Sequence, residues 1–234
     1  MKIAIMQPYL FPYFGYFQLI NSVDKFIIYD DVNFIKQGWI NRNRILINGV
    51  VSYFTIPVKD ISSFNKINNT FVCDFPRFKK KFIKQIEQNY CKSENFDVGI
   101  QYVKNVLEYD GEYISELAIR SVLELTKTIG LERKFFTSSK TFKNKESLER
   151  ADRIISIVKE LGATDYINSE GGKQLYKKEQ FKEYDVNLHF LKPQLLSYPQ
   201  IHNDTFQPGL SIIDVIMNNS IKKVSDLITH YQLD

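Results

Sequence analysis

The chain reads as an α/β protein: a mostly parallel, Rossmann-like sheet with helices on both faces and a helical insertion or covering layer in mid-chain. Three observations predict this. Short apolar runs that suit buried strands alternate with helix-period segments at both ends of the chain. The stretch from about 76 to 130 carries helical periodicity alone. No repeat or low-complexity linker divides the 234 residues, so 1–234 reads as a single domain.

The elements follow in order. Residues 2–6 are nearly all apolar, as in a strand covered on both faces. Residues 13–22 look helical, and "KFIIYDD" (25–31) is a second buried strand that ends in two acids. "RILINGVVSYFTIPV" (44–58) predicts a hairpin turning at Asn48-Gly49. Helices are expected over 76–92 and 99–129, with Gly130 as a stop. The basic run "RFKKKFIKQ" (77–85) spaces Phe78, Phe82, Ile83 and Ile86 helically, so its lysines read as a solvated face. "KFFTSS" (134–139), "TDYINS" (164–169) and "VNLHFL" (186–191) predict strands, and "ESLERADRIISIVKELG" (146–162) a helix. "LSIIDVIMNNS" (210–220) starts a late helix that Ser211 caps, with Asp214 three residues on.

A formal charge of +4 is too small to argue for nucleic acid and suits an anionic small substrate. The two cysteines, Cys73 and Cys91, lack metal-binding spacing, and no His/Cys group predicts a metal site. No stretch approaches the ~20 apolar residues of a membrane span. The amino-terminal run lacks a signal peptide's apolar core and cleavage site, so a cytoplasmic location is expected.

In parallel sheets, ligands bind beyond the carboxyl ends of the strands. Three strand ends carry unusual residues. The first is "QPYLFPYFGY" (7–16). Pro8 and Pro12 stiffen it, and Gly15 permits close approach. Gln7, Tyr9, Tyr13 and Tyr16 offer an amide and polar-tipped rings to a planar or sugar group. The plainer reading is that these rings pack the loop onto the sheet. The second, "DDVNFIKQGWINRNR" (30–44), holds Asp30, Asp31, Lys36, Trp39, Asn41, Arg42 and Asn43. Asp31 with Lys36 is candidate acid–base material, and Arg42 between two asparagines suits an anion; a surface hairpin with ordinary ion pairs is the alternative. The third, "SEGGKQLY" (169–176), offers backbone N–H groups from Ser169 to Gly172 that could face an anion, or is a plain turn. The acids at 30 and 31 should point to opposite faces, and Asp31 is read as the inward one. His202 is a further acid–base candidate in a loop, although a surface histidine is the commoner case.

With these residues laid out, the chain resembles the WbqC-like protein family. The matching pieces are "MQPYLFPYFGYFQLI" (6–20), "DKFIIYDDVNFIKQGWINRNRI" (24–45), "IPV" (56–58), "LGATDYINSEGG" (161–172) and the run from Phe206 to Asn218. They extend over nearly the whole chain. Some relatives carry a different residue before the double glycine, which bears on Glu170. The family is associated with bacterial O-antigen and capsule gene clusters. The resemblance therefore implies cytoplasmic polysaccharide biosynthesis on a small nucleotide sugar, as an N-acyl or aminoacyl transferase acting on a nucleotide-linked amino sugar. No cofactor is fixed by it; an acyl-thioester or aminoacyl donor, or an acyl carrier, is the implied partner. In that reading Asp31 or His202 takes the amine proton. Arg42 and the turn from Ser169 through Gly171 and Gly172 hold the diphosphate. Tyr9 and Tyr16 line the sugar pocket.

A more distant likeness joins residues 3–20 to the strand–loop–helix of HIGH-type nucleotidyltransferases, with Tyr13-Phe14-Gly15-Tyr16 in place of the H-x-G-H. It implies an ATP- and magnesium-dependent ligase as the alternative. Neither tyrosine supplies a cation to ATP phosphates. A non-catalytic sugar-binding or assembly protein is the third reading, and it suits the aromatic loops.

Overall fold

The computed structural model describes residues 1–148 and 150–234. Its strands are β1 (Lys2–Met6), β2 (Lys25–Ile28), β3 (Arg42–Ile47), β4 (Val50–Thr55), β5 (Lys134–Thr137), β6 (Asp165–Ser169), β7 (Asn187–Pro193) and β8 (Tyr231–Leu233). Six of them form one sheet in the order β5-β2-β1-β6-β7-β8. All its neighbours pair in parallel except β7 and β8. The strand order reverses beside β1, which is flanked by β2 on one side and β6 on the other. This is the Rossmann-like arrangement expected from the alternating runs.

Both faces of the sheet are covered because its strands are apolar on both sides. Ala4, Phe26, Ile28, Ile167 and Leu191 join the larger core. To that core belong α1 (Phe14–Asn21), α2 (Phe75–Tyr90), α3 (Phe96–Leu107), α4 (Ile114–Thr128), α8 (Ile212–Asn218) and α9 (Ile221–Leu227). Ile3, Ile5, Ile27, Tyr166, Leu188 and Phe190 join a second core with α6 (Arg150–Glu160) and α7 (Lys178–Lys182). A short α5 (Ser138–Thr141) directly follows β5.

The mid-chain helical layer forms, with one difference. The periodic stretch 99–129 divides into α3 and α4, because Asp110-Gly111 breaks the run. Gly130, at φ +66°, ends α4. The N–H of Leu131 donates to the carbonyl of Thr126 and that of Gly130 to Lys127, so the last carbonyls are satisfied by a left-handed glycine. The hairpin β3–β4 turns at Asn48 (φ +50°) and Gly49 (φ +76°), as the Asn-Gly pair requires. It forms a separate two-stranded sheet. The antiparallel edge strand β8 and the short helices α5, α7 and α9 carry too little periodicity to be read from sequence.

The loop after β1 joins these layers. Phe11 stands at φ +43° with its ring fully buried. The ring lies 5.6 Å from Tyr102, 6.1 Å from Phe54 and 6.3 Å from Phe82. Its N–H donates to Ser121 Oγ, and its carbonyl accepts from Asn43 Nδ2 and Ser211 Oγ at 2.8 Å each. The next carbonyl, of Pro12, accepts from the N–H of Ile212. Ser211 also caps α8, as its position predicts. Asp214 does not complete a reciprocal capping pair. Its fully buried carboxylate accepts from Tyr90 Oη at 2.8 Å, Tyr198 Oη at 2.7 Å and Gln200 Nε2 at 2.9 Å.

Phe11→Ala should destabilise the protein by about 3–5 kcal/mol in urea unfolding, through the cavity it leaves among three rings. Asp214 gives a pH signature. Burial raises its pKa, and the three hydrogen bonds only partly offset this. The folded state therefore holds the proton more tightly than the unfolded one. Stability from this group is fullest at low pH and falls as pH rises through the interval between the two values. The stability advantage of the parent over Asp214→Asn should shrink as pH rises through that interval, measured by thermal melts at stepped pH.

Candidate functional site

The carboxyl edge of the sheet, where the order reverses, gathers residues from three loops. Parallel pairing matches Ile3 with Tyr166 and Met6 with Ile28. The loops after β1 and β6 therefore leave the sheet from adjacent strands at the switch point. Burial raises the Tyr13 phenol pKa, and the charges of Tyr9 and Glu170 raise it further. Tyr9 is likewise raised by burial, so both phenols stay neutral donors near neutral pH.

The aromatic run after β1 is thus divided. Phe11, Phe14, Tyr16 and Phe17 enter the core, while Tyr9 and Tyr13 stay half-buried at the edge. Tyr16 is 3% exposed, packs on Phe17 and Phe26, and donates its hydroxyl to the Gln7 carbonyl. It shapes the loop and lines no open space in this structure. A Cβ at Gly15 would stand 2.4 Å from the far end of the Tyr13 ring, which would have to move aside. A Cβ at Gly172 would stand 2.3 Å from Asn168 Nδ2, whereas Gly171 has open space. Ser169 to Gly172 pass from β6 into a single 3-10 turn, Glu170–Gln174.

The second loop splits in another way. Asp31 is 2% exposed. Its Oδ1 accepts from Ser138 Oγ at 2.5 Å and its Oδ2 from Arg153 Nη2 at 2.5 Å. Asp30 is 3% exposed and accepts from the N–H and Oγ of Ser139 at 3.0 and 2.7 Å. Both acids clamp α5 and α6 to the end of β2, and no substrate amine reaches Asp31 in this arrangement. Arg153 was not singled out by sequence. Its place in a helix-period run gives no hint that it is buried, stacked 4.8 Å over Tyr29, and paired with Asp31. Burial pushes the Tyr29 phenol up to about 12, against the lowering influence of Arg153.

Asn41 and Asn43 are buried and spend their side-chain amides on backbone: Asn41 on the Ile56 carbonyl, Asn43 on those of Leu10 and Phe11. Arg42 donates to the carbonyls of Gln37 and Gly38 and lies 4.8 Å over the Tyr53 ring. Tyr53 stacks on Trp39 at 6.3 Å, and Arg44 lies 5.3 Å over Trp39. Lys36 is exposed, with no ion pair among the described residues. His202 stands apart. Its carbonyl abuts Gly49 in the hairpin turn, which begins at Asn48, five residues and so roughly 17 Å along the strand from Asn43 at about 3.4 Å per residue.

Beside the switch point lies a cavity of about 240 Å³, lined by Tyr9, Pro12, Tyr13, Trp39, Asn43, Arg44 and Gly209. A wider groove of about 940 Å³ lies at the amino edge of the sheet, among Lys2, Asp24, Arg133 and Asp165. It is at the wrong end of the strands for the binding rule above. Among the described residues, no three His, Cys, Asp or Glu side chains gather where a metal ion could be held. No described helix is long and apolar enough to cross a membrane.

The chain belongs to the WbqC-like protein family, whose model matches residues 7–226. It is 28% identical over 224 residues to a Mycobacterium tuberculosis protein named only as uncharacterized protein Rv1507c, covering 93% of each chain. No solved structure matches it.

Asp31→Asn should cost about 3–5 kcal/mol, because it leaves Arg153 buried without its counter-charge. The paired replacement Asp31→Leu with Arg153→Met should recover most of that loss. Urea unfolding of the three variants checks both outcomes.

Proposed function

We propose that this member of the WbqC-like family is a transferase that acylates the amine of a nucleotide-linked amino sugar in bacterial surface-polysaccharide biosynthesis. One observation carries the reading. The loops after β1 and β6 leave adjacent strands at the switch point of a Rossmann-like sheet, Tyr9 and Tyr13 line one cavity there, and the charge of Glu170 reaches the Tyr13 phenol. That edge is where open α/β sheets take nucleotides. The two neutral phenols offer stacking faces and hydroxyl donors to a sugar. In this reading the diphosphate would be held by N–H groups of the turn Glu170–Gln174 that follows β6; the N–H of Ser169 is already donated to Asn168 Oδ1.

The reaction needs a proton acceptor. The sugar amine attacks the acyl carbonyl of a thioester or aminoacyl donor. A C–N bond forms, the C–S or C–O bond to the carrier breaks, and the amine loses a proton. Asp31 is committed to Arg153 and His202 lies at the hairpin turn. Glu170, an exposed carboxylate whose charge raises the Tyr13 phenol, takes that role in this reading. A cytoplasmic location follows from the nucleotide-linked substrate.

Calorimetry with a uridine-diphosphate amino sugar, with magnesium ATP and with a free glycan tests the proposal. Binding of the nucleotide sugar alone is expected. Tight binding of ATP without the sugar nucleotide would move the protein to the ligase reading, and of the glycan alone to a binding protein. In a transfer assay, Glu170→Gln should lower turnover by about 10²–10⁴ and leave binding of the nucleotide sugar unchanged.

A further inference from the structure

We infer that the cavity between the β1 loop, Trp39 and Gly209 is a binding site for a small carboxylate with a planar or apolar body, held by Arg44. The cavity shares Tyr9 and Tyr13 with the proposed sugar site, but the inference stands on Arg44 and Trp39, and its titration is read without any nucleotide sugar present.

Arg44 is a half-buried cation with no carboxylate partner among the described residues. Its one side-chain hydrogen bond to the protein runs from Nη2 to the Gly209 carbonyl at 2.9 Å. Its Nε is buried without a partner. A guanidinium removed from water and left without a counter-charge is costly, and an anion that enters beside it relieves that cost. The other wall groups add no charge. Asn43 has spent its amide on Leu10 and Phe11, and its Oδ1 accepts from the N–H of Arg44. No lining residue is acidic, and Arg44 is the only cation among them. One cation matches a monoanion, whereas a phosphate calls for several donors or cations.

The rest of the wall selects the body of the guest. Tyr9, Tyr13 and Trp39 present rings, and Pro12 adds an apolar side. Trp39 already carries the Arg44 guanidinium on its face at 5.3 Å, so a planar carboxylate can meet the charge next to a ring. Burial keeps the Tyr9 and Tyr13 phenols neutral, so they do not repel the anion. At about 240 Å³ the space is smaller than the roughly 300–1,000 Å³ of sites for drug-sized ligands, so the guest is small.

Trp39 is the single tryptophan of the chain, so its emission reports on this cavity without labelling. The parent protein is titrated with benzoate, with its neutral counterpart benzamide and with inorganic phosphate. A saturable change with benzoate and none with the other two is expected. Arg44→Met should weaken benzoate by about tenfold or more, the loss of a charge-assisted contact, with the near-ultraviolet circular dichroism and melting midpoint of the parent. Equal binding of benzamide would reduce the site to an apolar slot. Saturation by phosphate alone would make it a phosphate site. No response to any probe, or parent-like affinity in a folded Arg44→Met, would also overturn the inference. If Arg44→Met does not fold, benzoate against benzamide on the parent, by ligand-observed NMR, decides the matter.

Discussion

Phe11 sits at a left-handed φ of +43° with its ring sealed among Phe54, Phe82 and Tyr102. Three separate parts of the chain hold its backbone: Ser121 of α4, Asn43 of β3, and Ser211 at the cap of α8. A non-glycine residue at positive φ persists only where its surroundings over-determine it. Here they do, and the consequence is mechanical. The loop after the central strand cannot move without disturbing the hairpin, the helical layer and α8 together. Tyr9 and Tyr13, two residues to either side of Phe11, are therefore held in place at the sheet edge. The rigidity a binding loop needs comes from one core ring and its hydrogen bonds.

Buried polar groups repeat this role elsewhere. Asp214 draws together Tyr90 of α2, Tyr198 and Gln200, and Tyr90 in turn accepts from the N–H of Leu46 in β3. Gln18 of α1 has its Nε2 within hydrogen-bond reach of the carbonyls of Gln194, Leu227 and His230. Asp30 and Asp31 attach the segment after β5, and Arg153 of α6, to the end of β2. Each network joins elements distant in sequence, and the carboxylates of Asp30, Asp31 and Asp214 each accept from several partners, which is what makes a buried carboxylate tolerable. The polar residues at the strand ends thus fall into two populations. One is consumed in bracing the edge. The other, Tyr9, Tyr13, Glu170 and Arg44, retains free valence.

That division decides which chemistry the edge can support. Strand-end acids invite a catalytic reading in an α/β protein, yet here the pair after β2 is sealed by serine hydroxyls and an arginine. The uncommitted groups lie one strand over, where β1 and β6 diverge, and in the cavity under Trp39. Rings and a lone guanidinium predominate there.

The sequence by itself determined the α/β class, the hairpin turn at Asn48-Gly49, the stop at Gly130 and the three loops that meet at the carboxyl edge. These are written in short-range signals: apolar periodicity, an Asn-Gly pair, a glycine after a helix, prolines after a strand. It also marked Tyr9 and Trp39 as edge residues, since aromatic rings beside Pro and Gly in a loop stand out locally. What only the tertiary structure decided is the fate of each polar side chain. Asp31, Asn41, Asn43 and Tyr16 look as available in sequence as Glu170, Tyr13 and Arg44. The difference arises from partners over 100 residues away, as with Asp31 and Arg153, or from a neighbouring strand. Alternation could not choose between Asp30 and Asp31, because the strand before them is apolar on both faces. Both are buried and share Ser138 Oγ, with Ser139 completing the partners of Asp30 and Arg153 those of Asp31. Nor could any local pattern place His202 at the hairpin turn, since that position follows from how the loop before α8 crosses β3 and β4. Whether a side chain is spent or free depends on long-range packing, and a one-dimensional pattern carries no record of it.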